Sequence, residues 1–432
     1  MASSDYAREI FFVDGARTPF LRDSGRQGPF SASDLAVAAG RSLISRLPIK
    51  ASDLDEVIIG CAMPSPDEAN IGRVTALRLN CGHKTTGWTV MRNCASAMQA
   101  LDSAAKDIAI GRADLVLAGG TEAMSRAPLI YNDKAVSWFR SSAKARKPAD
   151  KIKTFGKIPV AQFMKPVIAL LRGLRDSTVD LDMGQTCEII SHRFGIDRAA
   201  MDEYAVQSHL RLAAAFEQGL MEEVVPVYAP DGTVYDEDTG LRRDSSTEKL
   251  AKLRPVFDRH GGIVTAGNSS QITDGAALLL MASRDAVERY NLPVLGRLVD
   301  TEWSGLDPAQ MGLGPAYSAA PLLTRQHLAV DDIDIFEINE AFAGQVLSCT
   351  AAWEDDAFCQ NELGLPGALG TIDHDKLNVD GGAISIGHPV GASGARIVLH
   401  ALNALKRNDG RRAIATLCIG GGQGGAMLLE RE

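Results

Sequence analysis

Two cysteines stand at the ends of strand-like runs, and each opens onto a turn of small residues. Trp88-Thr89-Val90-Met91-Arg92-Asn93 leads into Cys94, and Ile414-Ala415-Thr416-Leu417 leads into Cys418 and then Ile419-Gly420-Gly421-Gly422. The residues after Cys94, Ala95 to Leu101, read as a helix. A thiol at a helix N-terminus faces unpaired N–H groups and the positive end of the helix dipole, which favours the thiolate and predicts a nucleophile at Cys94. The glycines after Cys418 let a ligand approach the backbone closely. His388, in Gly387-His388-Pro389-Val390-Gly391-Ala392-Ser393-Gly394, supplies a base. The competing reading is that a free cysteine is a small buried hydrophobe, and it is adopted for Cys61, Cys81, Cys187, Cys349 and Cys359. One cysteine with a distant histidine is a weak signal. Two cysteines and a histidine in Gly-rich turns beside strands put covalent catalysis level with burial.

The elements that must position these groups form a repeat. Ser52 to Gly60 lines up with Asp331 to Asn339, each an acidic turn followed by a strand. Cys94 stands 17 residues before Gly111-Arg112, and Ser393 stands 17 before Gly410-Arg411. Short apolar strands follow, ending in Gly119-Gly120 and Gly420-Gly421. Helices alternating with buried strands imply parallel βαβ units, so the chain reads as two similar α/β halves. The middle, Ala127 to Asn268, lacks the pattern and reads as an insertion. Superposing the Cys94 and Ser393 helix starts about a pseudo-two-fold axis would bring Cys94, His388 and Cys418 into one cleft.

Composition narrows the class. At 432 residues, rich in aliphatics and glycine, the chain suits an α/β enzyme of two or three domains. Seven cysteines form an odd count with no CxxC, and no HxxxH occurs, so neither a disulfide framework nor a metal site is expected. The N-terminal residues carry acids where a targeting peptide would be basic, and no apolar run reaches membrane-span length, which predicts a soluble cytoplasmic protein. A net charge of -9 argues against nucleic-acid binding. From Lys134 to Arg175, however, eleven Lys or Arg face one acid, Asp150, a local +10 that leaves -19 on the rest. Within it, Lys157 to Arg172 reads as an amphipathic helix kinked at Pro166. Such a stretch is a solvated cover for the core or a docking surface for a phosphate-rich ligand, a partner subunit or an anionic membrane. The cluster Gly420-Gly421-Gly422-Gln423-Gly424-Gly425 is no dinucleotide fingerprint, because no crossover helix follows it.

Four strings in this order, Cys94-Ala95-Ser96, Asn339-Glu340-Ala341-Phe342, Gly387-His388-Pro389 and Cys418-Ile419-Gly420, resemble the thiolase family over nearly the whole chain. Val264 to Ser270 and Asp274-Gly275-Ala276-Ala277 support the match. The resemblance implies a five-layered αβαβα thiolase fold: an N-terminal half from 1–126 and 269–295, a loop domain over 127–268, and a C-terminal half over 296–432. It implies a 3-ketoacyl-CoA thiolase using coenzyme A as co-substrate, with no permanently bound cofactor. Cys94 would be acylated, His388 would take its proton, and Cys418, expected to titrate near neutral pH, would serve as acid and base. One oxyanion site would be His388 with a water on Asn339, the other the N–H groups of Cys94 and Gly420. Met183, Leu253, Phe257, Ala266, Ser270, Ala341 and Phe342 would line the substrate and CoA groove.

Departures from the family pattern favour its degradative branch, in fatty-acid β-oxidation. Asp182 stands where the short-chain biosynthetic branch often has His, and sequence is added at 353–373 and in the basic excursion. That branch implies a homodimer or dimer of dimers, and a docking role for the excursion towards a hydratase/dehydrogenase subunit or a membrane. Many of its members carry His at the position of Asn339. The alternative is a biosynthetic acetyl-CoA acetyltransferase.

Overall fold

The computed structural model describes residues 6–431. The chain builds β1 (Ile10–Arg17), α1 (Ala32–Ser45), β2 (Glu56–Gly60), α2 (Ile71–Arg78), β3 (Thr86–Val90), α3 (Ser96–Ala109) and β4 (Leu115–Ala123). After the excursion, which holds α4 (Asp133–Lys144), α5 (Met183–Arg193) and α6 (Arg198–Glu217), β5 (Thr273–Ser283) closes the first sheet. The second half supplies β6 (Gly296–Gly305), α7 (Gly314–Arg325), β7 (Ile335–Ile338), α8 (Ala343–Glu354), α9 (Ser393–Arg407), β8 (Arg412–Ile419) and β9 (Gln423–Glu430).

Strand order displays the duplication. The first half runs β3-β2-β4-β5-β1, the second β7-β8-β9-β6. The counterpart of β3 is reduced to one bridge, Phe336 with Leu377. The seam is short: Ile10, Phe11 and Phe12 pair with Leu298, Arg297 and Gly296. Side-chain alternation sorts three cores. Val116 and Ala118 of β4 face Ala413 and Ala415 of β8 across α3 and α9. Leu115 and Leu117 turn out towards α1, and Ile414 and Leu428 turn out towards α7 and α8. Helix, sheet, helix pair, sheet and helix make the five layers. Because α9 is covered on both sides, twelve of its fifteen residues are buried. Gly394 lets α9 approach α3, for a Cβ there would lie 2.6 Å from the backbone nitrogen of Met98.

The repeat extends to single hydrogen bonds. Asp55 accepts from the N–H of Asp114 and Leu115, and Asp334 from the N–H of Arg411 and Arg412. These contacts correct the sequence alignment by two residues: the helix starts superpose Ser96, not Cys94, on Ser393. The amphipathic helix expected over 157–172 is broken rather than kinked, into Val160–Phe163, the strand Val167–Ile168 and Ala169–Gly173. Pro166 stops it, lacking an N–H for a helical bond.

Candidate active site

The ends of the two sheets meet at a cleft of about 640 Å³ whose walls include Cys94, His388 and Cys418. Strand β3 ends at Val90, so Cys94 lies in a tight turn, with Asn93 at φ +46° and the helix beginning only at Ser96. Cys418 is the penultimate residue of β8 and is 1 % exposed. His388 follows Gly387, and its loop packs so closely on the first half that a Cβ at Gly391 would lie within van der Waals radii of the Thr121 carbonyl.

Burial governs the proton affinities. It pushes the Cys94 thiol up to about 11, against the opposing pull of two N–H groups, those of Gly420 and of Cys94 itself. The sequence argument from the helix dipole is corrected here: desolvation outweighs it. Burial also pushes Cys418 well above an ordinary thiol, with Cys94 adding to the shift, so Cys418 is not the near-neutral acid–base expected from sequence. His388 moves the other way, down to about 4, because of burial and then the positive Arg396. At neutral pH the site therefore holds two thiols and an uncharged imidazole.

The tautomer of that imidazole follows from its contacts. Nδ1 lies 2.6 Å from Ser393 Oγ, and Ser393 Oγ donates to the Pro389 carbonyl at 3.1 Å. With the serine proton so engaged, Nδ1–H is the donor and Nε2 keeps its lone pair. Nε2 is buried without a hydrogen-bond partner among the described residues, which suits a proton acceptor for a thiol in the cleft. Both amide atoms of Asn339, at the end of β7, are likewise buried and unpartnered, which fits a water or substrate oxygen. The N–H groups of Gly420 and Cys94 both act on the Cys94 sulfur, and they are the donors at hand for an oxyanion on the carbon that this sulfur attacks.

Of the groove residues expected from sequence, Met183, Phe257, Ala266, Ser270, Ala341 and Phe342 line the cleft. Phe257 and Phe342 meet edge to face at 6.0 Å, and Ser270 is fixed by its N–H on the Ala341 carbonyl at 3.0 Å. Leu253 does not reach the cleft. It packs with Leu250 beneath Gly267, in the cluster around Met201 and Ile384. The sequence reading missed Ser393 as the partner of His388, and Met124, Ile272 and Val390 on the wall beside Cys94. It also missed Leu171 and Leu174, which the excursion returns to that wall, with Leu170 buried behind them. Arg22 and Arg242 also stand at the cleft, outside the basic run that the sequence makes conspicuous. Among the described residues no cluster of three or more His, Cys, Asp or Glu could hold a metal ion.

The family profile for the thiolase N-terminal domain matches residues 10–285, and that for the C-terminal domain residues 292–431. A 3-ketoacyl-CoA thiolase of Yersinia pestis (strain Pestoides F) is 34 % identical over 426 residues, 98 % of this chain and 97 % of the relative. The crystal structure of human mitochondrial 3-ketoacyl-CoA thiolase in complex with CoA matches with a TM-score of 0.85 and 32 % identity, covering 100 % of both chains. An acetyl-CoA acetyltransferase from Syntrophomonas wolfei matches with a TM-score of 0.86 and 31 % identity, over 99 % of this chain and 100 % of that one. Matched from end to end by profiles, sequence and structure, the chain belongs to the thiolase family.

Proposed function

We propose that the chain is a 3-ketoacyl-CoA thiolase of fatty-acid degradation, in which Cys94, His388 and Cys418 carry the chemistry. The observation that supports it is their meeting on one cleft from opposite halves of the chain, with His388 Nε2 open. His388 Nε2 takes the proton of Cys94 as the sulfur adds to the 3-keto carbon. The resulting alkoxide accepts from the N–H groups of Cys94 and Gly420. The C2–C3 bond then breaks, its electron pair leaves with acetyl-CoA, and Cys418 protonates the departing C2. His388 and a water on Asn339 hold the thioester oxygen where that charge is shared. In the second half, the Cys418 thiolate removes the proton of incoming CoA. The CoA sulfur attacks acyl-Cys94, and the released Cys94 sulfur recovers its proton from His388. The high proton affinity of Cys418 suits both tasks, since its thiolate is a strong base once formed.

An acetyltransferase would run the same chemistry towards condensation, and solved acetyltransferases share this fold. The apolar wall of Met124, Leu171, Leu174 and Val390 beside Cys94 favours a longer acyl chain. Thiolysis of acetoacetyl-CoA, 3-ketodecanoyl-CoA and 3-ketohexadecanoyl-CoA, with Cys94→Ala as control, tests the reading. Rates that rise with chain length and vanish in the control are expected. Activity confined to acetoacetyl-CoA would overturn the degradative assignment.

The division into two halves with a loop domain over 127–268 belongs to the same reading, as does self-association into a dimer or dimer of dimers, measurable by sedimentation. The basic excursion is read as a docking surface, for it exposes Ile152 (74 %), Phe155 (72 %) and Met164 (77 %) among its lysines and arginines. Flotation with anionic vesicles, and co-elution with a hydratase/dehydrogenase subunit, separate its two expected partners. Neither binding would end that assignment.

A further inference from the structure

We propose that Asn93 is a positioning residue that fixes the Gly420 N–H against the sulfur of Cys94. The proposal rests on the reading of Cys94 as the nucleophile. Asn93 adopts φ +46°, in the left-handed region that asparagine tolerates better than most residues. Its side chain crosses from the first half to the second, where Nδ2 donates to the Gly420 carbonyl at 2.8 Å. The preceding residue crosses the same boundary, with the Arg92 guanidinium stacked 4.0 Å from the centre of the Trp303 ring. Two consecutive side chains of the nucleophile turn thus dock on the half that carries Cys418.

Beyond Gly420 the turn is tied down, for the Gly422 carbonyl accepts from the Leu306 N–H at 2.9 Å and the Gly421 N–H lies against Asp176, but at Gly420 itself the Asn93 amide is the one side-chain hydrogen bond among the described residues. Gly421 and Gly422 follow at φ +93° and +76°. Among the described residues, a Cβ built on Gly420 would find only Met183 Sδ at 3.4 Å and Asn93 Nδ2 at 3.8 Å within 4 Å. A three-glycine turn has wide conformational freedom, and an oxyanion donor is effective only when it is already aimed. The carbonyl that Asn93 holds belongs to the peptide after Gly420, and the donor N–H to the peptide before it. Anchoring the first restricts the second through the shared Cα. No proton or electron moves through the clamp; it acts on the position of one donor.

Asn93→Gly removes the amide while keeping the positive φ available. Two reactions of Cys94 are compared: thiolysis, which builds an oxyanion, and alkylation by iodoacetamide, a displacement at a saturated carbon that builds none. The expected result is a kcat about tenfold lower, with the KM for CoA within twofold of wild type and the alkylation rate falling by a clearly smaller factor, since the Gly420 N–H also draws the Cys94 thiol down. Asn93→Asp, which keeps the turn but sets an acceptor against the Gly420 carbonyl, should lower kcat at least as far, and it stands in should the glycine variant melt early. A kcat within twofold of wild type in both variants would overturn the proposal. So would equal losses in thiolysis and alkylation, the sign of a generally disordered turn. Cys94→Ala distinguishes the two failures: activity persisting there removes the nucleophile reading itself, whereas an inactive Cys94→Ala beside unaffected Asn93 variants removes only the clamp.

Discussion

The protonation state of Cys94 is open to a direct test by varying pH. Burial sets the thiol near 11 and His388 near 4, so the free enzyme at pH 7 holds a thiol beside a neutral imidazole, not a thiolate–imidazolium pair. A thiol at about 11 is ionised at pH 7 in roughly one molecule in ten thousand, against roughly 3 % for an ordinary cysteine near 8.5. Alkylation of Cys94 by iodoacetamide at pH 7 should therefore be roughly 300-fold slower than that of an exposed thiol. The rate should climb about tenfold per pH unit from 7 to 10 without levelling. Catalysis should not follow that slope, because attack on the substrate is coupled to proton transfer to His388 and needs no standing thiolate. With His388 near 4, kcat/KM should stay flat down to about pH 5 and fall only below it. The assay is stopped-time alkylation read by mass spectrometry of the Cys94 peptide, beside kcat/KM over the same pH range. An alkylation rate that levels below pH 8 would refute the reasoning, since it would mean that His388 and the loop N–H groups outweigh burial.

Three further outcomes follow from other parts of the structure. His400 is buried between Glu223 (2.8 Å) and Asp380 (3.0 Å), and they raise it to about 10 despite desolvation, the first effect upon it. Its folded affinity exceeds that of the unfolded chain, so the imidazolium stabilises fully below about pH 6.5 and progressively less as pH rises to 10. Glu223, held near 2, reports the same interaction and is not counted twice. His400→Gln should then cost several kcal/mol in urea unfolding at pH 6 and distinctly less at pH 9.5. Ser393→Ala removes the partner that fixes the His388 tautomer, and should lower kcat by about 10- to 100-fold with KM unchanged, as read in steady-state thiolysis. Leu253→Ala should lower the melting temperature while leaving the KM for CoA alone, whereas Phe342→Ala, at the cleft wall, should raise that KM severalfold.

What the sequence disclosed and what it hid divide along physical lines. Cys94, His388 and Cys418 each sit in a short string with its own turn chemistry, and their convergence follows once the halves are seen as copies, whereas Asn339 stood out only through the family resemblance. The strand and helix alternation of those halves is a local pattern, so two similar α/β halves were legible too, while their five layers came with the family resemblance. Contacts set by packing across the chain were not. Asn93 and Gly420 are 327 residues apart, and nothing local announces their hydrogen bond. Leu253 is an apolar residue in a loop, and whether it faces the cleft or the core beneath Gly267 is decided by the fold. The proton affinity of Cys94 was misjudged for the same reason: the dipole argument is local, while the desolvation that overrides it comes from walls contributed by both halves. The break at Pro166, by contrast, is written in one residue.

The central claim is that Cys94 stores the acyl group between two half-reactions, and withholding CoA isolates that step. The enzyme mixed with 3-ketodecanoyl-CoA alone should release one acetyl-CoA per active site in a burst and stop. The octanoyl group should then be found by mass spectrometry on the Cys94 peptide and be discharged as octanoyl-CoA when CoA is added. Release of acetyl-CoA with no acylated peptide, or an acyl group on Cys418 in place of Cys94, would contradict the account.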